Sequence, residues 1–281
     1  MLGVALALAA SACWGISDFL GGLQTRRFSA LSVLIISQPI GFILAWPIAL
    51  TLGDQGLDRS EFAIAAFGGA AVVLALGAFY KAMALGSVSA VSMIGALGVL
   101  VPVVAGIAAG EEPGALEAVG GVVAIGGVLM VAREGDSDWR HANRTAMGLA
   151  ALAALGFGIF FLCLNHAADS DPAWTIAAAR TGGVALLGVA ALAIRPELPR
   201  ARGSTLTALL VIGVFDIAAN SLYAVATTEG LLPLVAVAGS LYSAVTVLLA
   251  RVVLGERLAA VQRVGVLVAL AGVGLIAAGA A

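Results

Sequence analysis

The sequence predicts an all-α membrane protein in which ten transmembrane helices form two inverted five-helix repeats. Three observations carry that expectation. The composition is one that only lipid can solvate, ten apolar runs have membrane-spanning length, and the two halves resemble each other at an offset near 144 residues.

Of the 281 residues, 62% are hydrophobic and 11% charged, and the mean hydropathy is +1.10. A water-soluble domain carries about 25% charged residues, so this chain lacks the polar side chains to coat a globule in water. The net charge of −2 says little about partners. There is no basic stripe interleaved with aromatics, so nucleic-acid binding is not expected. The two cysteines, Cys13 and Cys163, each lie within an apolar run. They read as small buried hydrophobes rather than a disulfide framework. With two histidines and no Cys/His cluster, neither a metal site nor a cofactor is expected.

A spanning helix needs about 20 mostly apolar residues. Such runs cover roughly 2–22, 30–52, 61–82, 88–109, 116–132, 146–166, 173–194, 205–227, 234–251 and 260–279. The first is a helix rather than a signal peptide, because no basic residue precedes Arg26 and Asp18 interrupts the apolar stretch. Connections such as Gln24 to Ser29 and Ala167 to Pro172 are too short for anything but antiparallel neighbours. Residues 133–145 are the longest polar segment and divide a first repeat, 1–132, from a second, 146–281. Abundant glycine, including Gly120-Gly121, Gly126-Gly127, Gly265 and Gly272, suits close helix contact in lipid.

The self-similarity is clearest where residues 82–122 meet 226–266, with 11 of 41 positions identical, among them Gly86/Gly230, Gly95/Gly239, Glu112/Glu256 and Gly121/Gly265. At an offset of 143, Trp14-Gly15-Ile16 meets Phe157-Gly158-Ile159. Five spans per repeat make the second enter the membrane from the opposite side. Inverted repeats of this kind are a recurring plan of secondary transporters, with the substrate site at the repeat interface near mid-membrane.

Certain residues also carry a family resemblance. Trp14-Gly15 in the first run, Leu254-Gly255-Glu256-Arg257-Leu258 with Gln262, Gly265 and Ala271-Gly272 at the junction of the last two, and a weaker copy at Gly110-Glu111-Glu112 resemble the drug/metabolite transporter superfamily in its EamA-type ten-helix branch. The resemblance spans essentially the whole chain. It implies export or exchange of small metabolites, amino acids or drugs, and leaves the substrate open.

Lys and Arg of short loops mark the cytoplasmic side. Twelve of the 14 basic residues follow the odd-numbered runs, Arg59 alone follows an even one, and Arg180 lies inside a run. A multi-pass protein of the cell membrane with both termini outside is therefore expected. Better-known members of the resembled family have both termini in the cytoplasm.

Charges inside the hydrocarbon are costly and usually face a bundle interior or a watered cavity. Asp216 sits near the middle of its run with Asn220 and Tyr223 at i+4 and i+7, a polar face that should line a cavity. Arg180 lies at similar depth. Either Asp216 binds substrate or a proton with Arg180 as counter-ion, or the two form a permanent structural lock. Asp18 shares a face with Trp14 and Ser11, and a carboxylate beside an aromatic suits an amine. The alternative for Asp18 is to snorkel toward Arg26, Arg27 or Lys81. Gln38 before Pro39, Tyr80 with Lys81 at the end of the third run, and Tyr242 between Ser240 and Ser243 complete the candidates for the pathway. Asn165 and His166, and Trp46, Trp139 and Trp174, read as interfacial; Glu112 and Glu256 read as structural.

The expected cargo is a small zwitterionic or cationic metabolite such as an amino acid, moved by alternating access, with protons as a candidate coupling ion. No nucleotide-binding loop is present, nor Gly-x-Ser-Gly, His-Glu-x-x-His or Gly-x-Gly-Asp, so an enzyme is not expected. A passive channel and a non-transporting sensor or assembly partner remain as alternatives.

Overall fold

The structure is a computed structural model that describes residues 1–110, 113–132, 144–198, 202–255 and 260–279. Glu112, Trp139, Glu256 and four of the loop arginines (Arg133, Arg140, Arg200 and Arg257) lie outside the described residues, as does all of the expected 133–145 linker except Arg144 and Thr145. No strand occurs among the described residues.

The helices are α1 (Leu2–Thr25), α2 (Ala30–Leu52), α3 (Arg59–Leu85), α4 (Val88–Ala96), α5 (Leu100–Ala108), α6 (Ala115–Ala132), α7 (Arg144–Ala168), α8 (Pro172–Ile194), α9 (Ser204–Thr228), α10 (Leu232–Ser240), α11 (Tyr242–Leu254) and α12 (Ala260–Gly279). A 3₁₀ turn, Leu97–Val99, joins α4 to α5, and Leu241 alone separates α10 from α11. Eight stretches are long and apolar enough to cross a membrane: α1, α2, α3, α7, α8, α9, Val91–Ala108 and Leu234–Leu254. This is a multi-pass membrane protein. Helix α3 runs to Leu85 rather than stopping near residue 82, because Ala82 and Met83 are fully buried and continue its apolar face. Tyr80 and Lys81 are therefore inside α3 and not at its end.

Local chemistry sets the helix ends. Ser29 accepts the Ser32 N–H at 3.1 Å ahead of α2. The Asp58 carboxylate accepts N–H groups of Ser60 and Glu61 at 2.7 and 2.8 Å, and Glu61 accepts the Asp58 N–H at 2.9 Å, a reciprocal cap. Asp171 caps α8 through Ala173 and Trp174, with Pro172 supplying a preset φ and no surplus donor. Helix α11 stops where Gly255 turns to φ +69°, a conformation glycine adopts without steric cost.

The break between α4 and α5 has a covalent cause. Pro102 has no N–H to give the Gly98 carbonyl four residues back, so the chain tightens into the 3₁₀ turn there. The freed region is used in packing. A Cβ on Gly158 of α7 would lie 2.8 Å from the Gly98 oxygen and against Val101. At the break between α10 and α11, a Cβ on Gly15 of α1 would lie 2.9 Å from the Tyr242 oxygen and against Val245. There Thr246, not proline, closes the turn by donating to the Tyr242 and Gly15 carbonyls at 3.0 and 3.2 Å.

Helices of the two halves interdigitate. Helix α1 packs on α9, α10 and α11; α3 on α7 and α8; α2 on α8 and α9; α6 on α12. Glycines permit the closest approaches, with Gly69 against the Ala179 carbonyl, Gly182 against that of Ala66, Gly213 against that of Ser37, and Gly272 against the backbone of Gly120 and Ala124. Gly121 and Gly126, expected to serve the same end, have nothing within 4 Å of a built Cβ. Cys13 and Cys163 are half-buried rather than buried. The outside is apolar, with Leu50, Phe67, Leu74, Val122, Leu192 and Val252 all exposed, while Asp18, Gln38, Arg180, Asp216 and Asn220 are buried. That reversal suits lipid as solvent.

Candidate functional site

Three helices bring buried polar groups together. Arg180 on α8 donates from Nη1 to Asp216 Oδ2 of α9 at 2.6 Å and to Gln38 Oε1 of α2 at 2.7 Å. Its Nη2 reaches the Asp216 carbonyl at 3.4 Å. Asn220, one turn along α9, donates to the same carbonyl at 2.8 Å and to Asp216 Oδ1 at 3.3 Å. Gly41 makes room for the guanidinium, since a Cβ there would lie 3.2 Å from Arg180 Nε. The arrangement pairs a fully desolvated charge on three sides, as a buried charge requires.

Asp18 stands apart from that pair. It is 5% exposed, and no described residue hydrogen-bonds its carboxylate. It did not snorkel to a basic side chain. Instead it lines a cavity of about 30 Å³ together with Trp14, Val72, Leu76, Phe157, Phe160, Phe161, Asp216, Asn220 and Tyr242. That is room for a water or two and far below the roughly 300–1,000 Å³ of a ligand site, so the site is closed in this conformation. Trp14 anchors an aromatic wall, with ring centroids 5.3 Å from Tyr223, 5.5 Å from Phe161 and 6.4 Å from Tyr242. The Gln38 Nε2, Asn220 Oδ1, Tyr223 hydroxyl and Tyr242 hydroxyl are buried and lack a hydrogen-bond partner. Buried polar groups are normally paired, so these four are available to something else.

The lining combines three polar side chains, Asp18, Asp216 and Asn220, with apolar ones that include Phe161, Val72 and Leu76. A second, smaller cavity, about 10 Å³, shares Val72, Phe160 and Asn220 with the first and continues along α8 past Arg180. Ile176 belongs both to it and to a cleft of about 370 Å³ near Asp54 and Asp171. Val73 belongs both to it and to a cleft of about 980 Å³ near Arg27 and Lys81.

Of the residues expected from sequence, Trp14, Asp18, Asp216, Asn220 and Tyr242 line one cavity, and Gln38 and Arg180 line its neighbour. Tyr223 stands behind Trp14. Tyr80 is buried against Gly21 with its hydroxyl on Ser17, and it lines neither cavity. Sequence reasoning missed Val72, Leu76, Phe157, Phe160 and Phe161. Four of them had a signal: the repeat offsets carry Trp14 to 157, Asp18 to 161, Asp216 to 72 and Asn220 to 76. Asn165 and His166 are half-exposed or exposed near the end of α7. Trp46 is half-buried, donates to the Thr181 hydroxyl at 3.1 Å and stacks edge-on against Trp174.

Comparison with known proteins adds a family and a fold. A family model described as the EamA-like transporter family matches residues 1–133 and 144–278. A solved structure, described only as the crystal structure of a protein, superposes with a TM-score of 0.71 at 14% identity, over 97% of this chain and 95% of that one. At that identity the likeness speaks for the fold alone. No curated protein matches the sequence.

Proposed function

Since this chain belongs to the EamA-like transporter family, a family of membrane transporters of small molecules, we propose that it carries a cationic or zwitterionic metabolite, such as an amino acid, by alternating access, as an exporter or exchanger. The observation that carries the reading is Asp18. Arg180 offsets the charge of Asp216, so the cluster of Asp18, Asp216 and Arg180 has a formal charge of −1 in a lipid-embedded cavity. A buried charge without a partner is costly. A cargo ammonium or a proton beside Asp18 restores neutrality, and the Trp14 and Tyr242 rings suit an ammonium through cation–π attraction. The apolar lining at Phe161, Val72 and Leu76 takes the body of such a molecule once the helices part.

Alternating access requires two interchangeable halves, here 1–132 and 146–281 about the 133–145 linker. We read α4 with α5, and α10 with α11, as single broken spans. With α6 and α12 this makes ten helices in two inverted five-helix repeats. Three contacts support the reading because each occurs twice, at offsets of 142 to 144 residues. Gly15 on Tyr242 and Val245 mirrors Gly158 on Gly98 and Val101; Gly95 on the Phe79 ring mirrors Gly239 on the Tyr223 ring; Gly69 on the Ala179 carbonyl mirrors Gly213 on the Ser37 carbonyl. Ile176 and Val73 stand between the central cavities and the two clefts, where a gate on each side would act. The bias of basic residues toward the odd-numbered loops supports an orientation with both termini outside the cell.

The test begins with thermal melts of the purified protein against amino acids, polyamines, quaternary amines and carboxylic acids, because a ligand of the folded state raises Tm. The best amine is then followed into proteoliposomes. Saturable uptake with counterflow is expected, lost in Asp18→Asn. Stabilisation by carboxylic acids alone, or flux without saturation and counterflow as in a channel, overturns the reading. So does the absence of any flux, which fits a sensor or assembly partner.

A further inference from the structure

A cleft larger than either central cavity shares only Val73 with them. It opens between the start of α2 and the end of α3, over the last turns of α8, with a volume of about 980 Å³. Its inner wall is apolar: Leu34, Val73, Ala78 and Leu187 are buried there, and Leu74 at its outer lip is 65% exposed. The mouth is different. Arg27 and Lys81 stand on it, both exposed, with Arg195 exposed beside it. Glu197 is the one carboxylate among the lining residues, and its backbone oxygen already holds the Ser32 hydroxyl at 2.9 Å. From Lys81 down to Val73 the cleft descends eight residues of α3, roughly 12 Å at 1.5 Å per residue.

A cleft with a basic rim at the membrane interface and apolar walls below it matches an amphiphile with an anionic head. Water cannot hydrogen-bond to those walls, and the exposed lip at Leu74 gives access from the hydrocarbon side. Basic pockets between transmembrane helices hold anionic headgroups. We propose that this cleft binds one anionic phospholipid, its phosphate between Arg27 and Lys81 and one acyl chain along α3 against Leu34 and Leu187. The proposal needs the bilayer and not the transport reading, so it stands or falls separately from it.

Glycine gives a clean probe. A Cβ on Gly77 would meet only Leu34 Cδ1, at an ordinary 3.7 Å, so Gly77→Leu should fold while filling the acyl path. Arg27→Gln with Lys81→Gln removes the rim charge at exposed positions. Purified full-length protein in detergent is titrated with phosphatidylglycerol, with phosphatidylcholine of the same chains, and with inorganic phosphate, reading retained lipid by native mass spectrometry and Tm by melting. Phosphatidylglycerol should be retained and raise Tm, while the other two do little. The double variant should bind it roughly 30-fold more weakly, at about 1 kcal/mol per basic side chain. Gly77→Leu should lose it too, with an unchanged lipid-free Tm. Equal retention of phosphatidylcholine overturns the charge recognition. An equal Tm rise with inorganic phosphate overturns the acyl contact. Wild-type binding by either the double variant or Gly77→Leu removes the site from this cleft.

Discussion

Two carboxylates show how differently a single side chain can be used. Asp216 is a partner: removing its charge leaves Arg180 with neutral acceptors, the Gln38 amide oxygen and the Asp216 main-chain carbonyl. Breaking a buried pair costs about 3–5 kcal/mol, so Asp216→Asn should lower Tm sharply in detergent melts. Asp216→Asn combined with Arg180→Gln should recover most of that loss. If the recovered double variant also transports normally, the pair is a structural lock and Asp216 carries no cargo or proton. Asp171 is a clamp at the start of α8. Its Oδ1 caps α8, and its Oδ2 accepts N–H groups of Asp54, Gln55 and Gly56 at 2.9, 3.3 and 3.3 Å. Burial pushes this carboxyl upward, but the N–H groups of Trp174, Asp54, Gly56 and Gln55 outweigh it and hold the group below the usual carboxylate range. The stability it contributes is therefore complete above the unfolded pKa, near 3.9, and is lost as pH falls through the lower folded value. Wild-type Tm should drop across that window. Asp171→Asn keeps the cap acceptor but cannot accept on both sides without a turned-in donor, so it should lower Tm at pH 7 and flatten the acid limb. An acid limb as steep as wild type would show that other groups set it. The carboxylates, Arg180, Trp14 and Tyr242 of this site were legible because charge, Trp and Tyr are rare in such a sequence and therefore conspicuous. Its Val72, Leu76, Phe157, Phe160 and Phe161 were not, because they look like any lipid-facing residue until the fold turns them inward.

At the scale of the element, the helices are held by backbone contact at glycine. Helix α3 meets α8 through Gly69 on the Ala179 carbonyl and Gly182 on that of Ala66, both closer than any real Cβ allows. Gly69→Ala and Gly182→Ala must therefore part the helices. Overpacking costs about 1–3 kcal/mol, more than the roughly 1 kcal/mol a helical glycine gains on becoming alanine. Gly121→Ala and Gly126→Ala, with open space around them, should keep or raise Tm. If all four behave alike in parallel melts, close approach is not what these glycines provide. The elements themselves were legible from hydropathy to within a few residues, since each run is bounded by charge, proline or a capping Ser or Asp. The two breaks were less so. Pro102 announces the first, but no proline marks the second, where Leu241 departs from the helix and Thr246 takes up the Tyr242 carbonyl. Glycine abundance was visible, yet which glycines touch is a tertiary fact: Gly272 lies on the backbone of α6 while Gly121 and Gly126 face open space.

For the whole molecule, orientation is the first thing to measure. The charge bias expects the loop at Gln55 outside and the segment at Arg202 inside. In a background with Cys13 and Cys163 replaced by alanine, Gln55→Cys should react with an impermeant maleimide in intact cells, and Arg202→Cys only after the cells are opened. The reverse pattern would put the basic loops outside. The interdigitation of the halves has a further consequence, for biogenesis. Helix α1 finds most of its partners among residues 204–254, and Gly15 has its seat only once Tyr242 and Val245 exist. During synthesis the early helices must wait in the bilayer, Asp18 and the bare glycine faces included, until nearly the whole chain has emerged. Contacts so distant in sequence form late. The nascent protein thus passes through a long interval as inserted but unassembled helices, the form that membrane quality-control proteases recognise. A chain stopped at residue 132 should insert and then be degraded within minutes in pulse–chase labelling, and co-expression of 144–281 should rescue it. A stable, protease-resistant 1–132 fragment would mean that each half carries a fold of its own.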